Sequence, residues 1–333
     1  MFYNIHVKGV ATCPVCKNEP REWFFRNDGG YGVLLCRDCM VGVTTPIPSD
    51  DELSVLYAAG HYRADKGGRF VGFVEDLIYF FRGARRRRIE RLVKPGAALD
   101  VGCGRGLFLD VMRRGGWSVK GVEFCKDSAS RASEAYGIEV VYGESAQWGF
   151  AENSFDVITV NHVLEHIKNP EETISACRRL LRDGGLLVVA VPDISSLQGQ
   201  AGKGRWFHLD IPYHLHHFSE SGLRALIERQ SLRVIAVRRF DLEHNPFGWL
   251  QTLLNLSGIR RNFLYTMLKN PVLRKTEMAA ASAADMLLTL VLCIFFIPLA
   301  IVLSLFESYI LRRGGTTEIF ALKETKTLKE INE

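Results

Sequence analysis

The chain has 333 residues, of which 47% are hydrophobic, and its formal net charge at pH 7 is +5. This length permits one large domain with attachments or two domains, and the composition is that of a globular protein. The small positive charge argues against a nucleic-acid partner, because domains that bind nucleic acid are usually more basic. The N-terminal residues include no apolar stretch of signal-peptide length, so we expect a cytoplasmic setting.

Near the N-terminus, Cys13 and Cys16 form one C-x-x-C pair, and Cys36 and Cys39 form a second pair after nineteen intervening residues. Two such turns can supply four thiolates in a tetrahedron, which is the arrangement of a closed structural zinc site. Disulfides within each pair are the alternative, but they are rare in the cytoplasm. The spacing therefore predicts a small zinc-ribbon-like module over residues 1–45.

Residues 46–95 are predicted to be a helical linker or lid, with a short helix at about 51–59 and a longer one at about 70–93. The longer helix carries the run Arg85 to Arg88. Such a run is either a solvated surface or a patch attracted to an anionic membrane.

From residue 96 to 245 short apolar segments alternate with helical ones. The segments predicted to be strands read AALDVG, WSVKGVE, IEVVYG, FDVITVN, GLLVVAVPD and LRVIAVRRF. Strands that alternate with helices predict an α/β domain whose mostly parallel sheet is doubly wound, with helices on both faces.

A glycine-rich turn follows the first of these strands, in the sequence ALDVGCGRG, with Asp100, Gly102, Gly104 and Gly106. Glycines at this place let a ligand approach the backbone at a helix N-terminus. The spacing D-x-G-x-G-x-G differs from the dinucleotide fingerprint, and the turn has no P-loop lysine. It resembles motif I of the class I S-adenosylmethionine-dependent methyltransferases, and the resemblance extends over residues 96 to about 240.

The resemblance implies a Rossmann-like methyltransferase fold with a seven-stranded sheet, and S-adenosylmethionine as cofactor. The glycine loop would admit the cofactor's amino-acid and ribose end, with Asp100 orienting groups beside it or bracing the loop. Glu123 would hold the ribose hydroxyls, Glu144 and Ser145 would contact adenine, and Asn161 would complete the cofactor site. The order of cysteine module, linker and catalytic domain is similar to bacterial methyltransferases with an N-terminal zinc-binding region, some of which act on sugars in surface-glycan synthesis.

The candidates for catalysis follow the fourth and fifth of these strands. In NHVLEH, His162 is either a general base or a residue that caps or lines the pocket, and His166 lies close by. The same letters match the inverted zincin pattern H-x-x-E-H, but a peptidase needs that motif on a helix. The segment is also similar to one in ubiquinone-pathway O-methyltransferases, which may hold a divalent ion there; His162 stands in place of an acid, so the ion is left open. In YHLHHF we expect Tyr213 or His214 to line the acceptor pocket, with the other histidines packing or capping.

The C-terminal part is apolar until close to its end. Residues 246–282 are predicted to form amphipathic helices that rest on a membrane or cover the sheet, and 283–311 form a membrane segment. Its core, Met286 to Phe306, has 21 residues without a charge, and a helix of that length is about 31 Å long. A buried core helix is the alternative. Because Pro298 can bend a helix and basic residues flank both ends, we expect a kinked re-entrant hairpin rather than a single span, and a frayed polar tail over 312–333.

These features predict a membrane-associated methyltransferase with its catalytic domain in the cytoplasm. Its partners would be the lipid bilayer and a membrane-linked acceptor: a lipid-linked sugar, an isoprenoid or quinone head group, or a lipid. The alternative is a non-catalytic protein that binds the cofactor, or a scaffold that recruits a partner through its zinc module.

Overall fold

A computed structural model describes residues 12–27, 30–49, 51–53, 55, 70–269, 274 and 283–324. Most of the helix predicted at 51–59 lies outside these residues. The strands are β1 (Glu22–Phe25), β2 (Gly32–Leu35), β3 (Gly42–Thr45), β4 (Ala97–Val101), β5 (Ser118–Glu123), β6 (Glu139–Tyr142), β7 (Phe155–Asn161), β8 (Leu181–Pro192), β9 (His216–His217), β10 (Leu232–Arg238) and β11 (Thr316–Lys323). The α-helices are α1 (Gly72–Glu90), α2 (Leu107–Arg114), α3 (Lys126–Tyr136), α4 (Pro170–Leu180), α5 (Leu197–Gly202), α6 (Glu220–Arg229), α7 (Asn245–Leu256), α8 (Phe263–Leu268) and α9 (Ala283–Leu305).

The centre of the fold is a seven-stranded sheet in the order β10-β11-β8-β7-β4-β5-β6. Strands β4 to β8 pair in parallel, and β11 runs antiparallel to both β8 and β10. Strand residues are buried on both faces: Ile158 packs with Ile174 of α4, whereas Val157 packs with Phe108 of α2. The predicted doubly wound, mostly parallel sheet is confirmed, and it explains why the strands read as continuous apolar runs.

The prediction of a frayed tail over 312–333 is wrong for its first half. Residues Thr316 to Lys323 form β11, which is inserted between β8 and β10 and is almost entirely buried. Ile319 faces one core and Phe320 the other, while Lys323 Nζ donates to the carbonyl oxygen of Leu181 at 2.7 Å. The polar side chains of this segment are buried with hydrogen-bond or ion-pair partners. They give the segment the composition of a polar tail, although it is a strand of the core sheet. The domain therefore does not end at residue 245; its sheet is completed after the apolar helix.

The cysteine module is joined to the larger sheet through a shared small sheet. Its strands lie in the order β1-β2-β3-β9, and β9 comes from the loop between β8 and α6 of the large domain. Val43 pairs with His216 in antiparallel register, and Thr44 Oγ1 donates to the carbonyl oxygen of His214 at 2.5 Å. The module thus holds the loop on which two of the predicted catalytic residues lie.

Helix α1 lies within the predicted range 70–93, but its arginine run is not a membrane-facing patch. The side chain of Arg85 is only 5% exposed and lies 4.0 Å from Glu243 and Glu318, and Arg88 lies 3.4 Å from Glu318 of β11. Of the four arginines, Arg87 is the one classed as exposed. These ion pairs fix α1 across the last two strands of the sheet.

Helix α9 continues without interruption through Pro298, so the kinked hairpin predicted from that proline is not formed. One side of the helix packs on α7 and α8, where Ala300 is buried with Trp249, Leu254 and Phe263. The rest is exposed, and only 11% of its most apolar 18-residue window is buried. It is the one helix, among those described, that is long and apolar enough to cross a membrane.

Candidate active site

The glycine loop lies between β4 and α2, at the carboxyl edge of the sheet. Gly102 and Gly106 have positive φ angles of 72° and 77°, and a Cβ at these positions would meet Val163 at 2.3 Å and Tyr136 at 3.1 Å. Gly104, with φ of 55°, differs: no described atom lies within 4 Å of where its Cβ would be. Gly102 and Gly106 therefore allow the loop to pack closely, whereas the space beside Gly104 is open and could admit a ligand.

Glu123, at the carboxyl end of β5, lies beside this space. Its carboxylate accepts hydrogen bonds from the backbone N–H groups of Gly104 at 2.7 Å, Phe124 at 2.9 Å and Cys125 at 3.2 Å. Burial raises its pKa, against the effect of these donors. A fixed carboxylate next to an open glycine fits the ribose end of S-adenosylmethionine, since it can still accept hydrogen bonds from hydroxyl groups.

The other residues predicted to bind the cofactor differ in what they contact. Asp100 is buried, and burial raises its pKa to about 6. It accepts a 2.5 Å hydrogen bond from Thr159 Oγ1 of the neighbouring strand β7, so it braces the glycine loop, which was one of its two predicted roles. Ser145 Oγ donates to Glu172 of α4 at 3.1 Å. Glu144 caps the short helix after β6 and lines a cavity of about 410 Å³ with Phe124 and Tyr142.

A larger cavity of about 1220 Å³ opens at the same edge of the sheet, enclosed by α1, α7, α8, α9 and the loop before β9. Its polar end brings together the four predicted catalytic residues and the remaining cofactor candidate: Asn161, His162, His166, Tyr213 and His214. By contrast, His216 and His217 lie in β9, outside the cavity wall.

His162 is held in an unusual state. Its φ angle of 52° is in the left-handed region, which residues other than glycine adopt uncommonly and at a cost. Its ring stacks on that of His244 at 4.2 Å between centroids. Burial lowers its pKa well below the usual value, so the imidazole is neutral at pH 7.

Glu165 lies among the histidines at the polar end of the large cavity, although the sequence predicted no separate role for it. It is 1% exposed, and neither carboxylate oxygen has a hydrogen-bond partner among the described residues. Oε1 lies 3.7 Å from His162 Nδ1 and 4.0 Å from His214 Nε2. A buried carboxylate needs donors or a cation, so Glu165 has capacity left to bind a hydrogen-bond donor or a cation.

Two kinds of ligand group fit Glu165. Ligand atoms of Glu165, His166 and His214 lie within 4.8 Å of one another, close enough for one divalent ion, and a hydroxyl group of an acceptor fits equally. A peptidase does not fit, because the H-x-x-E-H residues lie on a strand end and a short 3₁₀ turn (Leu164–His166) rather than an α-helix.

Asp241 and His244 were not among the site residues predicted from the sequence. His244 Nδ1 lies 3.2 Å from Asp241 Oδ1, and His244 lines the large cavity beside His162. A carboxylate that orients an imidazole is a recurrent arrangement for a base. The available signal was DLEH directly after β10, because the carboxyl ends of parallel strands meet at one edge.

The four module cysteines form a compact cluster. Cys13 Sγ lies 3.2 Å from Cys39 Sγ, and Cys16 Sγ lies 3.3 Å from Cys36 Sγ. All four sulfur atoms lie within 4.8 Å of one another, and none is in a disulfide. The arrangement fits a tetrahedral zinc ion with four thiolates.

We expect purified protein to contain one zinc ion per chain, and Cys39→Ser to lose it. Since zinc binding contributes folding energy to such a module, the variant should also have a lower Tm. Metal analysis and thermal unfolding check both, with exposed Cys125→Ser as the control that keeps its zinc. Protein that contains no zinc and has its thiols oxidised in pairs would overturn the assignment.

Comparisons with known proteins agree with the sheet and the glycine loop. A family model described as a methyltransferase domain matches residues 73–237. The chain is 37% identical over 94 residues to the ubiquinone biosynthesis O-methyltransferase of Paracidovorax citrulli, covering 26% of this chain and 40% of that protein. It is 32% identical over 126 residues to the enzyme of the same name from Maricaulis maris, covering 36% and 48%.

Among solved structures, the chain is similar to an S-adenosylmethionine-dependent methyltransferase from Archaeoglobus fulgidus, with 19% identity, a TM-score of 0.47, and coverage of 74% of this chain and 94% of that one. The chain spans less than half the length of the two curated relatives. The family match, the strand order and the glycine loop lead to one conclusion. Residues 73–237 lie in a methyltransferase domain with the class I S-adenosylmethionine-dependent fold.

Proposed function

We propose that this chain transfers a methyl group from S-adenosylmethionine to a membrane-linked acceptor. The observation that carries the proposal is the polar end of the large cavity, where the buried carboxylate of Glu165 lacks a partner among the described residues. This end opens at the same sheet edge as the space beside Gly104. A cofactor and an acceptor bound there would meet, as in-line transfer requires.

The cofactor supplies the reactive methyl group when bound, and the chain's own residues provide alignment and a proton acceptor. Glu123 would fix the ribose. His162, which is neutral because it is buried, would accept the hydrogen bond of the acceptor's hydroxyl group and take its proton as the oxygen is methylated. The carboxylate of Glu165, 3.7 Å from His162 Nδ1, would stabilise the imidazolium that forms.

The acceptor is a lipid-linked sugar, an isoprenoid or quinone head group, or a lipid. The names of the matched relatives, ubiquinone biosynthesis O-methyltransferases, favour an oxygen atom as the methylated site. The hydrogen-bond donors and acceptors at the polar end of the cavity also suit a hydroxyl group. A divalent ion on Glu165, His166 and His214 would serve the same purpose by holding the acceptor oxygen.

Membrane attachment is proposed to occur through the outward side of α9. This side carries large exposed apolar residues, with Leu287, Ile294 and Phe295 each at least 64% exposed. Because α9 packs along α7 and is followed by β11 of the central sheet, we propose that it lies along one face of the bilayer rather than crossing it. The catalytic domain would then remain in the cytoplasm, where the cofactor is made.

We expect lysine at Leu287, Ile294 and Phe295 together to release the protein from lipid vesicles with its fold intact, since each change places a charge in the hydrocarbon region. Co-sedimentation with vesicles and circular dichroism measure the two properties. Lysine at Leu92 and Tyr142, which are exposed apolar residues elsewhere, is the control and should leave binding unchanged. Sedimentation of the triple variant with vesicles would contradict membrane attachment through α9.

The non-catalytic alternative is tested by turnover. We expect purified protein to convert S-adenosylmethionine to S-adenosylhomocysteine when membrane lipid extract is added, and much more slowly without it. Cofactor binding without any turnover on lipid or aqueous extract would favour the scaffold.

A further inference from the structure

The large cavity changes from polar to apolar along its length. At the sheet edge it is lined by Glu165 and the histidines, and at the other end by side chains of two helices. Helix α1 contributes Phe73, Leu77 and Phe81, and α9 contributes Ile297 and Ile301. A cavity of this kind fits a ligand with a polar head and an apolar remainder.

Several of these apolar residues belong to the outer surface as well as to the cavity wall. Phe73 is 66% exposed, Leu77 is 47% exposed, and Ile297 and Ile301 are 47% and 45% exposed. The cavity is therefore open to the outside between α1 and α9. Its opening is bounded by hydrocarbon side chains on both sides.

The surface around this opening is also apolar. Phe80 of α1 is 57% exposed and Val302 of α9 is 61% exposed, and the apolar window of α9 has a mean hydropathy of 3.0. An apolar patch of this extent marks an interaction site rather than a surface in contact with water. The high hydropathy of α9 favours a lipid bilayer as the phase that covers it.

Between the two ends, aromatic rings line the cavity. Phe207 contacts Phe247 at 5.3 Å and Tyr265 at 5.4 Å between ring centroids, and Phe70 contacts Tyr265 at 5.7 Å. All four line the cavity. They form an apolar stretch of the cavity wall that a hydrocarbon chain could contact, and charged side chains such as Arg82 line other parts of the same cavity.

We propose that the acceptor carries a long hydrocarbon chain that lies between α1 and α9 and enters the cavity sideways from the bilayer. Its head group reaches Glu165 and the histidines while the chain remains in the opening. This inference rests on the proposed methyl transfer for the role of the head group, but the chain site itself depends only on the cavity. Because the chain passes from the bilayer, which is itself apolar, to an apolar opening, it would guide the head group into the cavity rather than contribute a large free energy of transfer.

The first test uses full-length protein on phosphatidylcholine vesicles that contain a long-chain alkyl phenol with a diazirine at mid-chain. After illumination, we expect cross-links at cavity residues of both helices, such as Leu77 and Ile301. Cross-links confined to outward residues such as Ile294 and Phe295 would overturn the proposal, because they report only contact with the membrane.

The second test narrows the opening. Ile301→Trp places a larger side chain in the cavity wall, whereas Val302→Trp makes a similar change at the next residue, which does not line the cavity. We expect Ile301→Trp to reduce cross-linking at Leu77 about tenfold, which corresponds to about 1.4 kcal/mol, and Val302→Trp to leave it unchanged. Equal cross-linking in the two variants would overturn the chain site.

The two proposals fail in different ways. If the cross-links appear as expected but no lipid is methylated, the chain site stands and the methyl-transfer proposal fails. If a soluble phenol without a chain is methylated as efficiently as its long-chain analogue, the transfer stands and the chain inference fails.

Discussion

Gly104→Val is expected to weaken binding of S-adenosylmethionine about 100-fold or more, which corresponds to about 2.8 kcal/mol. The φ angle of 55° lies in the left-handed region, where a β-branched residue costs about 1–2 kcal/mol. The larger effect is steric, because the side chain would occupy the open space beside Glu123. Isothermal titration calorimetry with the cofactor measures the change directly.

Gly184→Val is the matched control for this variant. Gly184 has a φ angle of 74° and no described atom within 4 Å of its Cβ position, but it lies near the start of β8, at the opposite edge of the sheet from the glycine loop. We expect this variant to lose similar stability and to bind the cofactor normally. Glu123→Ala, which removes the ribose acceptor, should cost about 1–3 kcal/mol of binding. Wild-type affinity in both Gly104→Val and Glu123→Ala would refute the cofactor site.

His162→Ala is expected to lower turnover about 10²–10⁴-fold, the usual contribution of a general base, with little change in cofactor affinity. Burial lowers the pKa of His162 well below its usual value. The imidazole therefore stays neutral as pH falls to and below 6.5, so its own protonation should not reduce wild-type activity between pH 8 and pH 6.5. Steady-state kinetics across pH and calorimetry separate the effects on turnover and binding.

His216→Ala is the control for replacing a buried histidine, because burial also lowers the pKa of His216, to about 4, but it lies in β9 outside the cavity wall. It should retain near-normal turnover where it folds. If His162→Ala stays within a few-fold of wild type, His162 only lines the pocket. The base would then be Tyr213, His214, or His244 with its carboxylate partner Asp241.

The strands that have an apolar pattern of their own could be predicted from the sequence. Strands β4, β5 and β7 end in the glycine loop, in Glu123 and in the Asn161–His162 pair, so the position of the site at their carboxyl ends follows from the pattern. Strand β11 was not predictable in this way. It reads TTEIFALK, and the polar side chains of Glu318 and Lys323 find buried partners only after the chain returns past α9.

The same reason limits the prediction of the site. His162, His166, Tyr213 and His214 were chosen as candidates because each follows a predicted strand, and all four line the cavity. His244 was missed because no role was assigned to the residues that follow the predicted strand LRVIAVRRF. The link between the cysteine module and His214 depends on pairing between distant segments, which periodicity along the chain does not encode.

The most direct test of the central claim identifies the molecule that receives the methyl group. Protein on vesicles made from total membrane lipid would be incubated with methyl-deuterated S-adenosylmethionine, and the lipid and aqueous fractions analysed by mass spectrometry, with Gly104→Val in parallel. We expect one class of lipid to gain a single deuterated methyl group with the wild-type protein and not with the variant. Label found only in water-soluble compounds, or in no compound while the cofactor is bound, would contradict a methyltransferase that acts on a membrane-linked acceptor.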